Sequence, residues 1–266
     1  MKNAPIGVFD SGVGGLSVLR EIRALLPGED LLYVADSGYA PYGDRAAEFI
    51  LQRAEAITAF FASQGAKAVV VACNTATAVA VQALRAKHSL TIVAMEPALK
   101  PAAEKTRSGV VAILATSRTL ASDSFARLAE RHGKGVQVLL QACPGFVELV
   151  EKAELSGPNT AGLVGRYVVP LLVQGADTFV LGCTHYPFLS PVIQSICGER
   201  AFVIDPSPAV ARELRRRLTT AELLSREDKP GVERFWTSGA PEQVREVITQ
   251  LWGKTIEVEP LPDWFS

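Results

Sequence analysis

Cysteine is scarce in this chain and never closely paired: the four residues at positions 73, 143, 183 and 197 contain no Cys-x-x-Cys spacing. That argues against a disulfide scaffold, and the thiols are read as reduced. An excess of one charge is also missing, since 27 basic and 28 acidic residues leave a net charge of −1. No global field favours phosphate backbones or anionic membrane, so nucleic acid and membrane are set aside as partners. Long apolar runs are absent too. Stretches such as Ala66 to Cys73 and Val110 to Ala115 are strand-length, far short of the roughly 20 residues that cross a bilayer. Met1 to Pro5 is too short and polar for a secretory leader, so the expected location is the cytoplasm. The glycine-rich run Asp10-Ser11-Gly12-Val13-Gly14-Gly15 lacks both the Gly-x-Gly-x-x-Gly order and a following Lys-Ser/Thr. By itself it implies a tight strand-to-helix turn, not a nucleotide cradle.

What is present is an α/β pattern. Of 266 residues, 48% are hydrophobic and 21% charged, enough apolar surface for a chain of about two domain-lengths. Short apolar runs at Ile6–Phe9, Asp30–Ala35, Ala68–Ala72, Thr91–Ala94, Val110–Leu114, Gln137–Leu140, Thr178–Leu181 and Ala201–Ile204 alternate with amphipathic segments. Ala46–Ala62, Ser122–Arg131, Val164–Val173 and Glu242–Trp252 have the length and apolar spacing of crossover helices, and such alternation predicts parallel sheets covered by helices.

The stretch Gly65-Ala66-Lys67-Ala68-Val69-Val70-Val71-Ala72-Cys73-Asn74-Thr75 recurs without a gap 110 positions later, as Gly175-Ala176-Asp177-Thr178-Phe179-Val180-Leu181-Gly182-Cys183-Thr184-His185. A weaker echo relates Ile6–Ser11 to Val111–Thr116. The chain therefore reads as two similar halves related by a pseudo-two-fold axis, with a cleft between them. Chain crossings fall at Met95-Glu96-Pro97-Ala98 and Asp205-Pro206-Ser207-Pro208. They divide it into a first domain, 1–97 plus 208–266, carrying Cys73, and a second, 98–207, carrying Cys183. In the tail, Val210–Leu218 and Pro241–Trp252 read as helices and Glu233–Thr237 as a strand returning to the first domain. The competing arrangement is one continuous sheet with an accidental repeat.

Ligands bind at the carboxyl ends of strands in open parallel sheets, and both repeated cysteines sit there. Asn74-Thr75 and Thr184-His185 follow them. These are expected to cap the next helix and to leave its first N–H groups for an anion, while the helix dipole lowers each thiol's pKa. Cys143 and Cys197 are read as packed thiols. Two thiols facing one molecule from opposite sides suit inversion of a carbon acid: one removes the Cα proton and the other protonates the opposite face. Asn74, Thr75, Thr184 and Ser11 are the candidates to stabilise the carbanion, with Asp10 near Cys73 and His185 near Cys183.

Asp10-Ser11-Gly12-Val13-Gly14-Gly15, Pro41-Tyr42-Gly43, Ala72-Cys73-Asn74-Thr75-Ala76 and Gly182-Cys183-Thr184-His185-Tyr186-Pro187 together resemble bacterial glutamate racemase, in order and over almost the whole chain. The resemblance implies interconversion of L- and D-glutamate with neither pyridoxal phosphate nor metal, supplying D-glutamate for peptidoglycan. Cys73 and Cys183 would be its acid/base thiols. It implies that Asp10, Ser11, Tyr42, Gly43, Asn74, Thr75, Thr184 and His185 bind substrate or assist the thiols, with Pro41 and Thr116 completing the binding set, and that a homodimer forms. Its active-site glutamate carries over onto Glu151, although Glu148 stands where the family pattern has proline. The short lead-in before the first strand implies no activation by a cell-wall precursor. An aspartate-specific relative would carry Gly-Cys-Thr-Glu where this chain has His185. A Cys183–His185 acyl-transfer pair leaves Cys73 without a role and lacks a third orienting group. A zinc module of Cys73, Cys183 and His185 is one ligand short of a closed structural site.

Overall fold

In a computed structural model, which describes residues 2–225, 229–263 and 265, the nine expected strands and one more form two parallel sheets. The first sheet holds β1 (Ile6–Asp10), β2 (Leu31–Ala35), β3 (Ala68–Val71), β4 (Thr91–Ala94), β9 (Glu233–Thr237) and β10 (Val258–Pro260), in the order β10-β9-β2-β1-β3-β4. The second holds β5 (Val110–Ala115), β6 (Gln137–Ala142), β7 (Thr178–Gly182) and β8 (Phe202–Ile204), in the order β6-β5-β7-β8. The single continuous sheet is thereby excluded. The order β2-β1-β3-β4 repeats as β6-β5-β7-β8, and the registers agree: Ile6 pairs with Ala68, and Val111 with Thr178. These are the residues matched by the sequence echo, so the repeat is one of structure.

Helices α1 (Leu16–Leu25), α2 (Ala47–Ser63), α3 (Asn74–Lys87), α4 (Leu99–Lys105), α5 (Ser117–Leu120), α6 (Asp123–His132), α7 (Phe146–Glu151), α8 (Pro158–Val173), α9 (Ser190–Cys197), α10 (Ser207–Thr220) and α11 (Pro241–Trp252) cover the sheets. Strands buried on both faces are near-continuously apolar, as in Ala68–Val71, where every residue is buried. In α2, Ile50, Ala54, Ile57 and Phe61 recur at helical spacing and pack with Phe9, Val34, Val69 and Val71 on one face of the first sheet. Val8, Tyr33 and Val70 turn to the other face, towards α1 and α10. That core continues through Phe146 and Tyr186 into Leu114 and Leu181 of the second sheet, where α8 and α9 pack.

Two elements differ from expectation. The helix read from Val164 begins at Pro158, after Gly157 with φ of 100°. Its first turns are largely solvent-exposed and so carry no apolar period, while Pro at the helix start supplies the signal. Strand β10 had no signal in the sequence: it is three residues long, ends in proline and lies on a sheet edge, where proline's missing N–H costs no ladder bond. Among the described residues, no helix is long and apolar enough to cross a membrane.

Candidate active site

Strand β1 ends in Asp10, which is fully buried. Its Oδ2 accepts the N–H groups of Gly12 (3.3 Å) and Gly15 (3.1 Å), which folds the glycine turn back over the strand end. Its Oδ1 accepts the Thr184 hydroxyl at 3.1 Å, so one carboxylate ties the ends of β1 and β7 together. Glycine is needed in this turn for close approach. A Cβ on Gly12 would lie 1.8 Å from Glu151 Oε1, and one on Gly14 would lie 2.2 Å from His185 Nδ1.

Cys73 follows β3. Its own Sγ caps α3, accepting the Ala76 N–H at 3.4 Å, and lies 3.7 Å from the Ser11 hydroxyl. The expected cap residues, Asn74 and Thr75, are instead the first residues of the helix. The expected lowering of the thiol pKa is reversed at Cys73. Burial and then the charge of Asp10 push it well above the ordinary thiol range, outweighing the Ala76 N–H and the Ser11 hydroxyl. Cys183 follows β7 and lies 3.8 Å from His185 Nδ1. Thr184-His185 does not cap a helix directly either: a 3-10 turn at Tyr186–Leu189 intervenes before α9. The charge of Cys183 is among the groups that raise Cys73, so the two thiols share one electrostatic environment.

His185 is buried, and its Nε2 meets Glu151 Oε1 at 2.6 Å while its Nδ1 lies 3.8 Å from Asp10 Oδ2. Burial opposes a charge on the ring. The bonds to Cys183 and Glu151 and the charge of Asp10 outweigh it and hold the imidazolium well above its usual range. Asp10 in turn is raised, chiefly by burial. Glu151 also accepts the Val13 N–H at 2.8 Å, with the Ser37 hydroxyl 3.5 Å from its other oxygen. Thus Glu151, not Glu148, bonds the histidine. Glu148 lines a cavity of about 70 Å³ with Pro41, Gly43, Thr116, Cys143 and Tyr186. Cys143, expected to be a packed thiol, is buried and also borders this space; burial and the charge of Cys183 raise it.

Asn74 is 4% exposed, and both polar atoms of its side chain lack a partner. A buried amide left wholly unsatisfied is costly, and a ligand with both donor and acceptor groups would satisfy it. Thr75 meets Thr116 Oγ1 at 3.0 Å and Thr119 Oγ1 at 3.2 Å, and the latter two lie 3.0 Å apart. This triangle of hydroxyls bridges the ends of the two sheets. The Tyr42 hydroxyl donates to Asp36, so its side chain is turned into the first domain and only neighbouring main chain remains for the cleft. Asp10, Ser11, Cys73, Asn74, Thr75, Thr116, Cys183, Thr184 and His185 thus lie just beyond the strand ends, with Glu151 reaching them from α7 and Pro41 and Gly43 from the loop after β2. Thr119, Ser37 and Ser17, whose hydroxyl donates to the Thr184 carbonyl at 2.9 Å, had no signal beyond their side-chain type. Among the described residues, no three or more His, Cys, Asp or Glu side chains are placed to share a metal ion.

Residues 6–214 match the family model for Asp/Glu/hydantoin racemases. The chain belongs to that racemase family. Within it, a glutamate racemase from Methylococcus capsulatus is 54% identical over 262 residues, 98% of this chain and 97% of that one. Among solved structures, a glutamate racemase from Bacillus anthracis superposes with a TM-score of 0.89 at 31% identity, covering 99% of each chain. The Escherichia coli glutamate racemase, solved with L-glutamate and the activator UDP-MurNAc-ala, gives 0.85 at 32% identity, covering 97% of this chain and 98% of that one. These family members share the two-domain α/β fold.

Proposed function

We propose that this protein is a glutamate racemase working by proton transfer between two thiols, without pyridoxal phosphate or metal. The observation that carries the reading is the pair Cys73 and Cys183, at equivalent ends of repeated strands, with Asp10 between them. Burial and the charge of Asp10 favour the protonated form of Cys73, which suits it to be the acid in one direction. Cys183, 3.8 Å from His185 Nδ1, is the base in that direction.

In that direction the Cys183 thiolate takes the Cα proton and becomes a thiol. The carbanion, stabilised through its carboxylate, takes the Cys73 proton on the opposite face, leaving Cys73 as the thiolate. The reverse reaction exchanges the roles. The substrate ammonium would rest against Asp10 and Ser11, and its carboxylate against Asn74, Thr75 and Thr184. Each preorganised donor contributes about 3 kcal/mol by analogy with oxyanion-hole deletions. Pro41, Tyr42 and Gly43 would contribute main chain, and Thr116 its hydroxyl. Glu151 holds His185.

The product would supply D-glutamate for peptidoglycan in the cytoplasm. We assign residues 1–97 plus 208–266 to one domain and 98–207 to the other, and expect a homodimer, which sedimentation would test. The experiment for the activity is incubation of metal-free and pyridoxal-free protein with L-glutamate in D2O. Loss of optical rotation together with deuterium at Cα supports the reading, and silence in both rejects it. Cys73→Ser and Cys183→Ser should each lower kcat by about a thousandfold or more. L-aspartate in the same assay should racemise far more slowly.

A further inference from the structure

Between β2 and α2, residues 36–46 carry two short 3-10 turns, Ser37–Tyr39 and Tyr42–Asp44. This loop bears on the other half of the molecule at two points. Gly43 sits against Thr116, with a would-be Cβ 3.3 Å from that residue's Cβ, and the Ser37 hydroxyl reaches Glu151. Most of the loop is exposed or half-buried, but Asp36 and Tyr42 are buried.

The loop's anchorage converges on one carboxylate. Asp36 accepts the Tyr42 hydroxyl and both Arg53 Nε (3.0 Å) and Nη2 (2.7 Å), with the ion-pair side chains 0% and 7% exposed. The Arg53 guanidinium also lies 4.4 Å from the centre of the Tyr39 ring. Arg53, from within α2, thus grips both turns of the loop: Tyr39 directly, and Tyr42 through Asp36. A buried ion pair adds little to stability over apolar residues of similar volume, because desolvation offsets the attraction. What a bidentate guanidinium–carboxylate pair supplies is geometry.

We propose that Arg53, acting through Asp36, is a positioning residue that sets the Tyr42–Gly43 main chain against Thr116 and thereby the site's affinity for its amino-acid substrate. This rests on the racemase reading above. A contact to substrate atoms remote from Cα is equally strong in ground and transition states, so its loss appears in KM and not in kcat.

The test is steady-state racemisation of glutamate in both directions, with thermal unfolding, for Arg53→Met, Arg53→Lys, Tyr42→Phe and the double variant Asp36→Asn/Arg53→Met. The double variant leaves no unpaired buried carboxylate and is expected to fold. Tyr42→Phe keeps the ion pair and the Tyr39 contact and cuts only the link to the second turn, which carries Gly43, so it decides the matter if an Arg53 variant fails to fold. Arg53→Met, the double variant and Tyr42→Phe should each raise KM about tenfold or more with kcat within about threefold of the parent, and Arg53→Lys should fall between. Folded variants with unchanged KM, or with kcat lost at unchanged KM, would overturn the proposal alone. A parent protein that does not racemise glutamate would overturn the racemase reading, and the proposal with it.

Discussion

His185 is buried, yet its bonds to Cys183 and Glu151 and the charge of Asp10 hold its pKa above the usual imidazole range, and this links stability to pH. Its folded pKa lies above the unfolded value of about 6.5, so its contribution is full below that pH, declines above it and is gone once the pH passes the raised value. Urea denaturation should therefore show stability falling by up to about 1.4 kcal/mol per pH unit between about 6.5 and 8, and His185→Asn should flatten that slope. Gly14→Ala tests the same ring from the other side. The backbone of Gly14 is not in the left-handed region, so alanine adds no backbone strain, but the new methyl must displace the buried His185. Racemisation should drop about a hundredfold or more, and the melting temperature should fall as the His185–Glu151 bond is lost.

At this scale the sequence showed the chemistry and missed its supports. Cys73 and Cys183 stood out because an internal repeat aligns them. Arg53, Asp36 and Thr119 did not, because what marks them is convergence in space. The sign of the Cys73 shift was misread because a helix N-terminus is a local feature, whereas burial beneath Asp10 is a tertiary one.

Among the elements, the turn joining α4 to β5 hangs on one side chain. Asp177 accepts the Thr106 hydroxyl at 2.5 Å, the Arg107 and Ser108 N–H groups at 2.7 Å each, and the Thr178 hydroxyl at 3.0 Å. Against the push of partial burial these bonds hold its carboxyl down to about 2. The contribution is present above about pH 4 and lost as the pH falls towards 2. Asp177→Asn should cost about 1 kcal/mol, a figure kept small because the site is solvent-accessible. Racemisation should be unchanged, since Asp177 precedes β7 and Cys183 follows it. Elements were legible where an apolar period ran for a full strand or several helical turns, as in β3, β7 and α2. They were illegible where the period was too short, as in β10, or began late, as in the first turns of α8.

In the whole molecule, the thiols of the site are closed off: Cys73 is 4% and Cys183 7% exposed. A thiol reagent therefore reaches them when the cleft opens. Saturating glutamate should slow labelling of Cys73 and Cys183 by about tenfold or more, read by mass spectrometry of the modified peptides. Labelling that is fast and indifferent to glutamate would show that entry needs no opening.

The order of the strands also bears on how the chain is made. Leu31 in β2 pairs with Glu233 in β9, and β10 is added beyond it, while all of the second sheet lies between residues 110 and 204. A ribosome therefore releases every strand of the second sheet before the first can be finished, and one edge of β2 waits unpaired through most of synthesis. The usual amino-terminal-first sequence of domain maturation is inverted. Until β9 emerges, β2 keeps an edge open to wrong pairing, and β9, made after every strand of the second sheet, is the segment that covers it.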